Sequence, residues 1–144
     1  MKLLAWRVFQ ARYRKTAFSG EGARLYGGRW NSVGTAVVYA SASFDVALEE
    51  TLKHALMLTK DFLRAKIEFE DSLVITLEAA TLPQDWADEP PSRTTQWIGD
   101  NWVRQRLSAI LEVPSVVAKE SLNYLINPAH PDFSKIKIHR SEPI

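Results

Sequence analysis

The residue types best suited to chemistry fall in four places along the chain. Gly27-Gly-Arg-Trp-Asn31 joins two adjacent glycines, which let backbone approach a ligand closely, to Arg29, whose planar fork of donors suits phosphate oxygens. The segment is neither a Walker loop nor the Gly-x-Gly-x-x-Gly of a dinucleotide-binding unit. Tyr39 lies in an apolar stretch, where its ring can pack on a base or nicotinamide and a buried hydroxyl needs a partner. Glu50 stands at the margin of an apolar helical stripe, a position from which a partly desolvated carboxylate can be aimed into a cleft. Ser115, inside Val113-Pro-Ser-Val-Val117, and Asn123, at a strand entrance, have the donors and acceptors to orient an amide such as the nicotinamide carboxamide. Each also has an ordinary structural reading. These are a glycine turn with Arg29 in a surface ion pair and Trp30 in the core, a core tyrosine, a surface glutamate beside Lys53 or His54, and turn or edge chemistry for Ser115 and Asn123.

Charge and composition narrow the function classes. From Met1 to Asn31 the basic residues are Lys2, Arg7, Arg12, Arg14, Lys15, Arg24 and Arg29, against the single acid Glu21, although the whole 144-residue chain carries only +1. A basic segment on a nearly neutral chain suggests a local anion site, such as one for a nucleotide pyrophosphate, or else a solvated basic edge; it does not suggest a broad duplex footprint. With 46% hydrophobic and 24% charged residues the composition is that of one folded domain, 1–144. There is no cysteine, hence no disulfide framework and no thiolate zinc site, and three scattered histidines make no metal cluster. No run approaches the roughly 18 apolar residues of a membrane span, and Met1-Lys-Leu-Leu-Ala-Trp-Arg7 does not resemble a signal peptide. A cytoplasmic location without a membrane partner is the expectation.

Positioning these residues falls to elements that the patterning predicts. Leu3–Phe9 reads as a first strand, and five of the six glycines crowd between positions 20 and 34, ahead of a buried strand over Thr35–Ser41. Ser43 suits an N-cap for a helix running to about Leu58, with Phe44, Ala47, Leu48, Thr51, Leu52, Ala55 and Leu56 as its apolar stripe. On that helix Glu50 lies on the flank near Ala47, with His54 one turn on, while Glu49 points elsewhere. Leu63, Ala65, Ile67 and Phe69 alternate with charged residues as a strand does, and a turn at Glu70-Asp-Ser72 predicts a hairpin to Leu73–Leu77. The proline-containing stretch Thr81–Thr95 reads as an irregular connection. A helix over Gln96–Leu107, weakened by Gly99, precedes strands at Ile110–Val117, Tyr124–Ile126 and Ile136–Ile138. The fold class is α+β, a mixed, mostly antiparallel sheet arrangement with a few helices.

Taken together, Gly27-Gly-Arg-Trp-Asn-Ser-x-Gly34, Val38-Tyr-Ala-Ser41, Ala47-Leu-x-Glu50-x-x-x-His54, Val113-Pro-Ser115 and Asn123-Tyr-Leu-Ile-Asn-Pro-x-His-Pro-Asp-Phe133 resemble the RES-domain family. Its members are bacterial toxins paired with Xre-type helix-turn-helix antitoxins, and the likeness runs from about Trp6 to Ile138. The resemblance implies a fold similar to diphtheria-toxin-type mono-ADP-ribosyltransferases, NAD+ as substrate, no cofactor, and inorganic phosphate as co-substrate where cleavage is phosphorolytic. The arginine, glutamate and serine that name the family carry over to Arg29, Glu50 and Ser115 as catalytic residues. Tyr39 and Asn123 join them in the pocket, and Arg7, Gly28, Trp30 and Asn31 complete the expected substrate-binding set. Glu49 rivals Glu50, which is favoured by its spacing from His54; Ser121 rivals Ser115, which is favoured because it falls inside a matching stretch. On this basis Arg29 grips the pyrophosphate, Tyr39 packs on the nicotinamide or its ribose, Ser115 with Asn123 holds the ring, and Glu50 stabilises an oxocarbenium-like transition state. The expected activity is NAD+ cleavage at the nicotinamide–ribose bond, depleting NAD+ and arresting growth until a cognate antitoxin neutralises it. The alternatives are transfer of ADP-ribose to a protein, and a non-catalytic nucleic-acid-binding module using the basic segment with Trp6, Tyr13 and Tyr26. The leading reading involves no direct nucleic-acid contact and leaves a homodimer open.

Overall fold

Period-two alternation of apolar and polar side chains builds the two longest strands. In the computed structural model, which describes residues 1–53 and 61–144, β1 (Lys2–Gln10) and β3 (Phe62–Glu70) pair antiparallel from Lys2 opposite Glu70 to Gln10 opposite Phe62. The other strands are β2 (Val38–Ser41), β4 (Val74–Thr76), β5 (Ile110–Pro114), β6 (Leu122–Ile126), β7 (Lys137–Ile138) and β8 (Glu142–Pro143). They form a single sheet in the order β4-β5-β6-β2-β1-β3-β7, with β8 also on β3. Only the β4–β5 pair is parallel among the described strands, so the class is α+β with a mixed, mostly antiparallel sheet.

The expected hairpin after β3 does not form. Residues Asp71–Leu73 make a 3-10 turn, and β4 leaves to pair with β5 at the far end of the sheet. Both edges of β3 are already taken, one by β1 and the other by β7 and β8, and Glu70-Asp-Ser72 supplies no glycine or asparagine for the positive φ of a tight hairpin.

Strand alternation sorts the sheet into two faces. Val38, Ala40, Ile110, Tyr124 and Ile126 join Ala5, Ile67 and Phe69 in the larger core. The registered pairs Tyr39–Leu125, Ser41–Asn123 and Val113–Asn123 point to the opposite face. There Leu111, Val113 and Leu125 pack with Trp30, Val37 and Trp102. The polar members of this face, Ser41 and Asn123, lie at one end of that apolar surface, next to Ser115 just beyond β5.

Three helices described here frame this second face. α1 (Glu21–Tyr26) is a short helix between Gly20 and Gly27, inside the stretch that reads in sequence as glycine turns. α2 (Phe44–Leu52) starts at Ser43, whose hydroxyl accepts from the Val46 N–H at 3.2 Å, and Ala47 packs on Val8 and Phe62. The expected continuation through His54, Ala55 and Leu56 to Leu58 lies outside the described residues. α3 (Arg93–Arg104) begins before the predicted Gln96 because Ser92 caps it, accepting from the Thr95 N–H at 3.3 Å. Among the described residues no helix is long and apolar enough to cross a membrane.

α3 holds the Gly27–Asn31 segment against the sheet. Gln96 Nε2 donates to the Gly28 carbonyl at 3.0 Å, and Asp100 accepts from the Ser32 N–H at 3.0 Å. Gly99 sits between these two contacts, and a Cβ there would come within 1.6 Å of the Trp30 carbonyl oxygen. The glycine that weakens α3 in sequence is therefore what lets the helix touch this segment. In an open helix Gly→Ala stabilises by about 1 kcal/mol; here the sign should invert. Gly99→Ala is expected to lose about 3 kcal/mol or more in urea unfolding, since the clash is with backbone. An unchanged or higher midpoint would show that α3 does not bear on Trp30.

Candidate functional site

The acid comes from helical periodicity and its partners from strand periodicity. Glu50, on the sheet-facing flank of α2, reaches the polar end of the second face, where its Oε1 accepts from Ser115 Oγ at 3.1 Å and from Asn123 Nδ2 at 3.0 Å. Asn123 is oriented in turn by Ser41, whose hydroxyl donates to Asn123 Oδ1 at 2.8 Å. Ser115 Oγ also accepts from the N–H groups of Val117 and Ala118, so its hydroxyl proton is directed at Glu50. Oε2 of Glu50 takes no hydrogen bond from the described residues. Glu49 is exposed, and Ser121 meets Ser115 through backbone only, its carbonyl accepting from the Ser115 N–H at 3.0 Å.

Glu50 opens onto a cleft of about 740 Å³ that also takes in Arg7, Arg29, Tyr39 and Asn123, a volume within the range of small-molecule sites. Of the seven basic residues before Ser32, Arg7 and Arg29 line this cleft. Lys2 and Arg24 are paired with Glu68 and Glu21. Arg7, on β1, donates from Nε to the Ala17 carbonyl at 2.7 Å and from NH1 to the Tyr39 carbonyl at 2.9 Å. It faces no carboxylate among these contacts, and desolvation alone pushes its pKa down to about 10, so it stays cationic at neutral pH. A guanidinium held by neutral carbonyls at a cleft wall attracts an anion.

Arg29 is more occupied than the sequence suggests. Its NH1 donates to the carbonyls of Trp86 at 3.0 Å and Asp88 at 2.7 Å, its NH2 is ion-paired with Glu89, and its side chain is only 10% exposed. The connection ahead of α3, which reads in sequence only as irregular, thus forms part of the cleft wall through Glu89 and Pro91. Lys53, which the helical spacing offers as a partner for Glu50, reaches Glu89 instead at 2.9 Å. Glu89 and Lys53 both line the cleft. Lys53 is legible in sequence only as a surface helix partner for Glu50, and nothing in sequence distinguishes Glu89 from its neighbours.

Several of the expected ligand-binding residues make internal contacts. Asn31 is 0% exposed and does not line the cleft. Its Nδ2 donates to the carbonyls of Ala23, Ser32 and Thr35, and its Oδ1 accepts from the Tyr39 hydroxyl at 2.6 Å. It closes the glycine-rich turn. The Tyr39 hydroxyl also accepts from the Trp30 N–H at 3.1 Å, and its burial raises its pKa, so it stays protonated while the ring lines the cleft. Gly28 makes its close approach to Tyr39, whose hydroxyl would lie 2.8 Å from an added Cβ. Trp30 borders the cleft but is 2% exposed and packs as core. Ser115 is buried and does not line the cleft, whereas Asn123 does, and both direct donors at the Glu50 carboxylate.

The chain is 41% identical over 144 aligned residues to the Prs ADP-ribosylating toxin of Sphingobium sp. (strain YBL2), an alignment covering 94% of this chain and 88% of that protein. Toxin Res of Yersinia enterocolitica is 35% identical, with 91% and 88% covered. In fold it is similar to a chain of the M. tuberculosis MbcT-MbcA toxin-antitoxin complex, with a TM-score of 0.76 at 17% identity over 100% of this chain and 85% of that one. The RES domain model matches residues 4–144, nearly everything the sheet and cleft are built from, and the chain belongs to the RES domain family.

Proposed function

We propose that this chain is the toxin of a toxin–antitoxin pair and that it cleaves NAD+ at the nicotinamide–ribose bond. The observation that carries this reading is the Glu50 carboxylate, fixed through Oε1 by Ser115 and Asn123 and lining a cleft that also holds two arginines. Departure of nicotinamide leaves an oxocarbenium-like ribosyl centre, and a preorganised carboxylate beside it lowers that barrier. The nicotinamide of NAD+ is a pyridinium that takes the bonding pair and departs as the neutral base, so no strong general acid is needed. Arg7 and Arg29 supply positive charge for the pyrophosphate, and the Tyr39 ring offers a face for the nicotinamide or its ribose. The names of the relatives support a toxin, and a cognate antitoxin is the expected partner that silences it.

The name of the Sphingobium relative favours a second reading of the later half of the reaction, in which the ADP-ribosyl group passes to a protein and not to water or phosphate. Both readings share the first bond cleavage. The purified chain incubated with NAD+ should release nicotinamide; phosphate dependence marks phosphorolysis, and label from NAD+ carried onto protein in a cell extract marks transfer. No nicotinamide release with water, phosphate or extract present would end the NAD+ reading. Intact NAD+ together with steeply salt-dependent RNA or DNA binding would put the nucleic-acid module in its place.

A further inference from the structure

Among the described residues, two cations converge on one carboxylate at the wall of the cleft. Glu89 Oε1 accepts from Arg29 NH2 and from Lys53 Nζ, the latter at 2.9 Å, while the Trp86 and Asp88 carbonyls hold the other Arg29 nitrogen. Arg29 comes from the glycine-rich segment, Lys53 from the end of α2, and Glu89 from the connection carrying Pro90 and Pro91. Three separate parts of the chain therefore meet at one negatively charged oxygen.

We propose that Arg29 and Lys53 form a phosphate subsite of the cleft, and that the Glu89 carboxylate fills it as a built-in competitor which the substrate's phosphate displaces. The identity of the displacing molecule rests on the NAD+ reading above. Lys53 stands three residues after Glu50 on the same helix, a separation of roughly 5–6 Å between Cβ atoms. A phosphate bound at Lys53 and Arg29 thus lies in the same cleft as the acid. Glu89 is the more solvent-accessible member, 54% exposed against 10% for Arg29, so its carboxylate can turn into water when a doubly charged ligand takes its place. Arg29 keeps its two carbonyl partners when Glu89 leaves, so its guanidinium stays aimed at the vacated position. Affinity for a phosphate ligand is then lowered by the fraction of molecules in which Glu89 occupies the subsite.

Calorimetric titration of wild type, Glu89→Gln and Lys53→Gln with inorganic pyrophosphate, NAD+ and nicotinamide riboside tests this. Glu89→Gln should tighten pyrophosphate and NAD+ by about threefold to tenfold, and Lys53→Gln should weaken both by a similar factor. Nicotinamide riboside, which lacks phosphate, should bind all three proteins alike. Equal pyrophosphate affinity across the three overturns the subsite even if NAD+ is cleaved normally. A pyrophosphate response without NAD+ binding keeps the subsite and removes NAD+ as its occupant. Tighter riboside binding in Glu89→Gln overturns the proposal, because Glu89 would then be blocking the cleft sterically.

Discussion

Glu50→Gln should fold as wild type does and lower nicotinamide release from NAD+ by about a thousandfold, the order expected when one preorganised electrostatic contact to a transition state is lost. The amide is nearly isosteric, and its oxygen can still accept from Ser115 and Asn123, which in the native chain lie 3.1 and 3.0 Å from Oε1. The substitution therefore keeps the network and removes the charge. A carboxylate that only binds ribose hydroxyls would lose affinity with little loss of kcat, whereas one that stabilises a developing cation loses kcat and kcat/KM together. Single-turnover measurements at saturating NAD+ separate the two. Retention of kcat within tenfold would remove Glu50 from the chemistry, and a large drop in unfolding midpoint would make its role structural.

How far the sequence disclosed this site depends on how local each signal is. The strands β1 and β3 follow from alternation along the chain, and the Ser43 cap from a hydroxyl beside an apolar stripe; both patterns are written in consecutive residues. The helical flank that separates Glu50 from Glu49 is equally local, and the structure puts Glu50 in the cleft and Glu49 in solvent. What depended on distant chain was not legible. The β4 pairing is decided by which edges of β3 are free, a property of the finished sheet. The partners of Arg29 lie 57 to 60 positions away in an irregular stretch. Ser115 and Asn123 could be marked as polar residues of interest, but whether such donors face a ligand or a neighbouring carboxylate depends on where α2 docks. Only the packed sheet turns both toward Glu50.

Asn31→Asp should be the most destabilising single change in the glycine-rich segment, about 4 kcal/mol or more by urea unfolding. The native amide nitrogen lies 2.8 Å from the Ala23 carbonyl, 3.0 Å from that of Thr35 and 3.2 Å from that of Ser32, in a site with no solvent exposure. A carboxylate of the same shape sets an acceptor against three acceptors and buries a charge with no cation in contact. Protonation relieves the charge but restores only one donor. The opposite oxygen can still accept from Tyr39, so the loss isolates the turn-closing contacts from the tyrosine bond. Because Trp30 and Arg29 continue directly from this turn, the segment that α3 clamps should loosen with it, and the unfolding midpoint should fall before any effect specific to ligand appears. A residue serving substrate would behave in the reverse manner: an unchanged urea midpoint with weakened NAD+ binding would return Asn31 to the cleft.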